Sequence, residues 1–358
     1  MSNLQIGLAI AGGLVLAAVV AHGAWSARKN QPKLATPEVA AELPADDRTQ
    51  NTATAGLADR QEPSFDSDGG LGSLSNFALL PVLEKKPGLD ALIDVIAPIA
   101  VDGMVSGEAA LAAMPATRRA GSKPFGVEGL NIATTEWELP GAHQRYSAFQ
   151  CGVQLANRVG ALNQIEYSEF VIKTQAFADA IGGEPEFTEM GDEVARAREL
   201  DQFASVHDAQ LGFTLRALGT AWSPGYVAQN AARIGFVAGA IPGRMVLPAK
   251  ERGGAALLGL AFDTQAAMAE DPEQTALREV TLSLDVAQVP RSEQPFVRMR
   301  ESAIALAASM GGAVLDDNGN PIGPDAMDVI GSELEQLYDT LDERDLSAGS
   351  VLARRLFS

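Results

Sequence analysis

One run of elements occurs twice in this sequence, and any fold has to accommodate both copies. Residues 170–183, FVIKTQAFADAIGG, lie over 299–312, MRESAIALAASMGG, without a gap. Phe170, Thr174, Phe177 and Ile181 stand opposite Met299, Ala303, Leu306 and Met310. That i, i+4, i+7, i+11 spacing turns one helix face to a core, and the paired glycines mark its C-terminal end. Just upstream, FQCGVQLAN (149–157) matches VTLSLDVAQ (280–288). Both alternate as strands, with Cys151, Val153 and Leu155 in one and Leu282, Leu284 and Val286 in the other facing inward. Each copy opens with a strand, at 90–99 and 208–218, followed by a helix, and closes with a short strand and an amphipathic helix, GDEVARARELDQF or PDAMDVIGSELEQLYDTL. Between them lie PFGVEGL and ATTEWELP in the first copy, GFVAGAI and AALLGLAFD in the second. The order strand, helix, three strands, helix, strand, helix predicts an α+β fold: two tandem two-layer units, each an antiparallel sheet with helices on one face.

Ahead of the repeat, residues 4–25 are uncharged and apolar. As a helix they reach roughly 33 Å, enough for a hydrocarbon core of about 30 Å. No basic residue precedes the run, whereas Arg28, Lys29 and Lys33 follow it. This is the pattern of a transmembrane anchor with its N-terminus outside and the rest of the chain in the cytoplasm, not of a cleaved signal peptide. From 31 to 88 the chain is rich in Ala, Pro, Thr, Asp and Gly and reads as a tether spanning about 40 Å root-mean-square. Its one apolar patch, FALLPVL at 77–83, is expected to dock on the folded part. The resulting divisions are an anchor at 1–27, a linker at 28–88, and units at 89–205 and 206–358.

Charge and side-chain chemistry exclude several functions. Twenty-seven Lys and Arg against 46 Asp and Glu leave a formal charge of −19, which repels a phosphate backbone and argues against nucleic-acid binding. Cys151 is the single cysteine, and His22, His143 and His207 are scattered, so neither a disulfide framework nor a metal site is expected. DDNGNP at 316–321 begins like a calcium loop. It puts Pro321 at the glycine position and Met327 where the bidentate glutamate belongs, so it reads as a turn. GGLGSLSNF near Gly69 lacks the strand and spacing of a phosphate loop. Glu136 and Glu138 are read as solvated carboxylates of one strand face, and no G-x-S-x-G motif occurs. No catalytic residue, cofactor or small-molecule substrate is expected. Arg354 and Arg355 before Leu356 and Phe357 end an amphipathic segment suited to packing on the domain.

The apolar run ending HGAWSARK, the linker, and the stretches ALLGLAFD (256–263), ALREVTLSLDVAQVP (276–290) and SMGGAVLDDNGNPIGPDAM (309–327) together resemble the ZipA family of bacterial division adaptors. The similarity runs over 208–341, with 90–202 a degenerate extra copy. The resemblance implies a non-catalytic, single-pass inner-membrane protein that ties FtsZ to the membrane during septum assembly. The alternatives are a divisome scaffold with another protein partner, or an enzyme of unknown reaction. In the family the helix-free face of the sheet holds the C-terminal tail of FtsZ. Carried over, that face takes Ala261, Asp263 and Gln265 from one strand and Thr281, Ser283 and Asp285 from the next. Asp263 and Ser283 replace large apolar side chains, and the two carboxylates imply a preference for a Lys- or Arg-bearing peptide. The matching face of the first unit would hold Gln150, Gly152 and Gln154, with Tyr146 and Trp137 as an alternative groove.

Overall fold

Alternation and capping explain where the elements begin and end. The structure is a computed structural model that describes residues 32–35, 88–250, 255–271 and 275–358. The first half runs β1 (Asp94–Ser106), α1 (Gly107–Ala113), β2 (Arg119–Ala120), β3 (Lys123–Asn131), β4 (Trp137–Glu138), β5 (Arg145–Gln154), β6 (Ala156–Asn157), β7 (Gly160–Ala161), α2 (Gln164–Ile181), β8 (Gly183–Pro185) and α3 (Met190–His207). The second half runs β9 (Gln210–Ala217), α4 (Pro224–Arg233), β10 (Val237–Ala238), β11 (Arg244–Leu247), β12 (Leu258–Ala261), α5 (Thr264–Ala267), β13 (Glu279–Asp285), α6 (Pro295–Met310), β14 (Gly312–Leu315), α7 (Pro324–Asp342) and α8 (Val351–Leu356).

One sheet is ordered β2-β3-β5-β1-β8, with β4 on β3, and the other β10-β11-β12-β13-β9-β14. The paired strands are antiparallel throughout, as in an α+β protein. The run β3-β5-β1-β8 and the run β12-β13-β9-β14 follow the chain in the same way. In each, the opening strand sits between the strand before the long helix and the strand after it.

The helices α2 and α6 lie on the inward faces of their sheets. Phe170, Thr174 and Phe177 are buried in the first, with Ile181 half-buried; Met299, Ala303, Leu306 and Met310 are buried in the second. On the sheets, Val95, Ala97 and Ile99 pair with Val153, Cys151 and Phe149, and Leu282 with Leu260 and Phe213. Burying such side chains is worth about 1.5–3 kcal/mol apiece. An Asn163–Glu166 capping box starts α2, and Pro295 starts α6.

The glycine pairs do two separate jobs. Gly182 and Gly311 adopt left-handed conformations (φ 68° and 70°) that close the helices. Gly183 and Gly312 then enter the edge strands opposite Val101 and Ala217. A Cβ on Gly183 would lie 2.6 Å from Ile99 Cγ2, and one on Gly312 3.0 Å from the Trp222 ring.

The tertiary structure corrects several boundaries. β13 ends at Asp285, and Val286–Gln288 form a 3-10 turn, although Val286 is still buried. The cause is the C-terminal segment: Gly349 N–H donates to the Ala287 carbonyl (2.9 Å), and Gln288 Nε2 to the Phe357 carbonyl (2.7 Å). Likewise β5 stops at Gln154, and residues 156–157 turn into the β6–β7 hairpin. The short strand β11 was not foreseen. Leu356 and Phe357 are buried, so the tail packs back on the body. The predicted membrane span at 4–25 and the FALLPVL patch lie outside the described residues, as does the linker except for residues 32–35. Among the described residues no helix is long and apolar enough to cross a membrane.

Candidate functional site

The helix-free face of the second sheet follows from strand alternation. On β13, Glu279, Thr281 and Ser283 are exposed while Val280, Leu282 and Leu284 are buried. Their neighbours across the ladders are Ala261 and Gly259 on β12, and Arg216, Thr214 and Gly212 on β9. Arg244 of β11 extends this face beyond Ala261. The floor is thus made of small side chains. A Cβ on Gly259 would stand 2.7 Å from Ser283 Oγ, so the glycine lets that hydroxyl lie close over β12. At one edge the 316–320 turn overhangs the face: Asp317 Oδ1 is 3.4 Å from where a Gly212 Cβ would be. Asp316 holds that turn by accepting from Asn318 N–H (2.9 Å) and Asn320 N–H (2.7 Å), and these bonds lower its pKa. The stretch read as a turn, not a calcium loop, is one.

Three of the six residues assigned to this face need correction. Asp263 and Gln265 do not continue β12. Asp263 caps α5, its Oδ1 accepting from Gln265 N–H at 2.9 Å, and Gln265 lies inside that short helix. An Asp directly ahead of TQAA is the local sequence signal for this cap. Asp285 does end β13, but both its oxygens are held by Arg158 of the first half (Nη1–Oδ2 2.7 Å; Nη2–Oδ1 2.9 Å). The same guanidinium binds Asp208 at 2.7 Å, and these carboxylates raise the Arg158 pKa. Asp285 is therefore already paired, and Asp263 stands in a helix cap beyond the end of β12. The charges actually on the face are Arg244 and the cross-strand pair Arg216–Glu279 (2.6 Å). Ala261, Thr281 and Ser283 stand where the sequence placed them.

The alternative groove on the first sheet is not assembled. Tyr146 is fully buried, packed on Phe149 (centroids 5.5 Å apart), with its hydroxyl donating to Glu138 Oε1 at 3.1 Å. A register shift beside it turns the ring inward. Trp137, 37% exposed, sits on the outer strand β4. Gln150 is on the helix-free face, bonded to Glu128 Oε2 at 2.7 Å. The chain itself covers the rest. Leu89 lies on Gly126 and Gly152, so that a Cβ on Gly152 would be 2.5 Å from Leu89 Cδ2. Leu89 N–H donates to Glu128 Oε1 (3.0 Å), and Gln154 is buried under the Arg355 carbonyl (2.9 Å). Glu128 had no sequence signal: nothing in PFGVEGL tells which chain segment will cross it.

Two further features lie away from these faces. A cleft of about 660 Å³ opens beside α6 and α7, lined by Phe296, Val297, Ile304, Met327 and Tyr338 with Arg291 and Arg300. It is on the helical side. Cys151 is buried beside Thr174, and burial pushes its pKa up to about 12, which keeps it an inert thiol. Among the described residues no group of three or more His, Cys, Asp or Glu could hold a metal ion.

Comparison with known proteins bears on the second half. No curated protein matches the chain. The model of one family, "ZipA, C-terminal FtsZ-binding domain", matches residues 264–333. The match begins at α5, takes in β13, α6 and β14, and ends within α7. It is narrower than the similarity read from the sequence, leaving out β9 to β12. Residues 264–333, which include the strand that bears Thr281 and Ser283, are thus similar to the ZipA C-terminal FtsZ-binding domain.

Proposed function

We propose that this chain is a membrane-anchored, non-catalytic adaptor of the bacterial division machinery whose second sheet receives the C-terminal tail of FtsZ. The observation that carries the reading is the family match, because its residues 264–333 include the strand that presents Thr281 and Ser283. A helix-free face floored by Gly259, Ala261 and Gly212 admits a peptide close to the backbone, with side chains spread over it. In this reading residues 4–25 cross the inner membrane with the N-terminus periplasmic, and the body lies in the cytoplasm. The two halves are tandem copies of one unit, which their common strand order supports. The first copy, covered by Leu89, serves as support.

Titrating the full chain in detergent with a labelled FtsZ tail peptide tests this. Replacing Thr281 by Arg and Ser283 by Glu fills the face without touching the core. A loss of affinity of about tenfold or more, roughly 1.4 kcal/mol, is the expected result. Equal affinity of both proteins would place the tail elsewhere. One observation favours a second reading, a scaffold for a different division protein: small and polar residues occupy the positions where the family face is apolar. That reading takes over if the wild-type chain fails to bind the tail yet still localises to the septum.

A further inference from the structure

Residues 32–35 lie inside the stretch that reads as a tether, yet they are seated on the folded body. Lys33 N–H donates to the Ala221 carbonyl (2.6 Å), and Ser223 N–H donates to the Lys33 carbonyl (2.9 Å). The segment thereby adds to Trp222 as a parallel bridge, while Trp222 pairs antiparallel with Leu277 on its other side. The side chain makes a second attachment. Lys33 Nζ donates to the Met310 carbonyl at 2.6 Å and lies 5.8 Å from the Tyr226 ring centroid. Met310 is the last residue of α6, and its carbonyl also accepts from the buried Trp222 indole at 3.0 Å. The C-terminal end of a helix is the negative end of its dipole, where an ammonium is stabilised. Backbone pairing and charge recognition thus converge on one lysine. At the far end of the same stretch, Leu89 fills the Gly126–Gly152 notch, and Arg355 Nη1 donates to the Gly88 carbonyl at 3.1 Å.

We propose that residues 32–35 form a strap that latches the chain onto the α4–α6 corner. The chain is then seated on one body at residues 32–35 and again at 88–89, so the link from a span to the body is the stretch before residue 32. The consequence for the membrane rests on reading residues 4–25 as a span. From Trp25 to Lys33 the chain reaches at most about 29 Å, at up to 3.6 Å per residue. The FtsZ-binding half is then held against the bilayer, and releasing the strap lets it move out on the full linker.

The test uses the full chain in nanodiscs of phosphatidylethanolamine and phosphatidylglycerol. Nitroxides are placed at the exposed positions Leu34→Cys and Leu218→Cys, with buried Cys151 left in place. Leu218 is beside the seat, its N–H donating to the Gly311 carbonyl at 3.2 Å. The wild type should give one narrow, short distance. Lys33→Pro, which deletes both the N–H and the ammonium, should abolish that peak, and Lys33→Glu should broaden it. Without labels, the Ser223 amide should exchange about tenfold faster in Lys33→Pro, as befits one lost hydrogen bond. A broad wild-type distribution, or a peak that survives Lys33→Pro, overturns the strap. A nickel-chelating lipid should relax the Leu218 label more in the wild type than in Lys33→Pro, and equal relaxation overturns the membrane placement. A narrow peak in a chain that never enters the disc supports the strap and rejects only the membrane span.

Discussion

Besides its backbone contacts, the C-terminal tail is held by a buried ion pair, and removal of that pair should carry a pH signature. Arg355 Nη2 meets Asp94 Oδ1 at 2.5 Å; the Asp94 side chain is 0% exposed and that of Arg355 18%. The other Asp94 oxygen accepts from Asp90 N–H at 2.8 Å. Burial raises the Asp94 pKa above 3.8, the guanidinium only partly offsetting it. The folded state therefore holds this proton more tightly than the unfolded state. The Asp94 contribution is most favourable below about 3.8 and is eroded as pH rises through the folded-state value. Arg355→Ala leaves a buried carboxylate without its counter-charge. Breaking such a pair costs about 3–5 kcal/mol, and the partial exposure of Arg355 puts the cost near the lower end, about 3 kcal/mol at pH 8. Where Asp94 is protonated, only the lost hydrogen bonds remain, about 1 kcal/mol. With a urea slope of about 3 kcal/mol/M, the midpoint gap between variant and wild type should shrink from about 1 M at pH 8 toward about 0.3 M as pH falls through the folded-state Asp94 pKa. Asp94→Asn added to Arg355→Ala should recover part of the loss at pH 8, since no charge is then stranded. Urea titrations of the full chain in detergent, followed by circular dichroism, measure all three proteins. A gap independent of pH, or no recovery in the double variant, would refute the reasoning.

Three other outcomes are expected. Cys151 should resist alkylation in the native chain at pH 8 and react on denaturation, because its pKa of about 12 keeps it a thiol; rapid native labelling would contradict its burial. Gly107→Ala should cost about 2 kcal/mol or more, since the new Cβ would fall 1.8 Å from the Gly141 carbonyl oxygen. Gly182→Ala, with open space but φ 68°, should cost only about 1–2 kcal/mol, and unfolding that ranks them the other way would show the backbone contact to be wrong. A phosphatase fused after Ser358 should be inactive in the periplasm, and activity there would reverse the membrane orientation inferred from Arg28 and Lys29.

The local elements were legible because they depend on neighbours in the chain. The i, i+4, i+7 apolar face of 170–181 and its trailing glycine specify a helix and its stop wherever they occur, and the alternation in 149–155 and 280–284 specifies which side chains enter the core. From those alone the α+β class, the inward-facing Cys151 and the outward-facing Thr281 and Ser283 followed. Other features depend on groups far apart in sequence and had no local signature. Asp285 looked like a free carboxylate until Arg158, from the other half, took both its oxygens. Gly152 looked like an open sheet position until Leu89 was found lying on it. Lys33 looked like one of three basic residues flanking a span, and only the fold brings the Met310 carbonyl to its ammonium. Periodicity sets which way a side chain points, but what it meets there is decided by long-range packing, and with it which faces stay open and which charges are already spent.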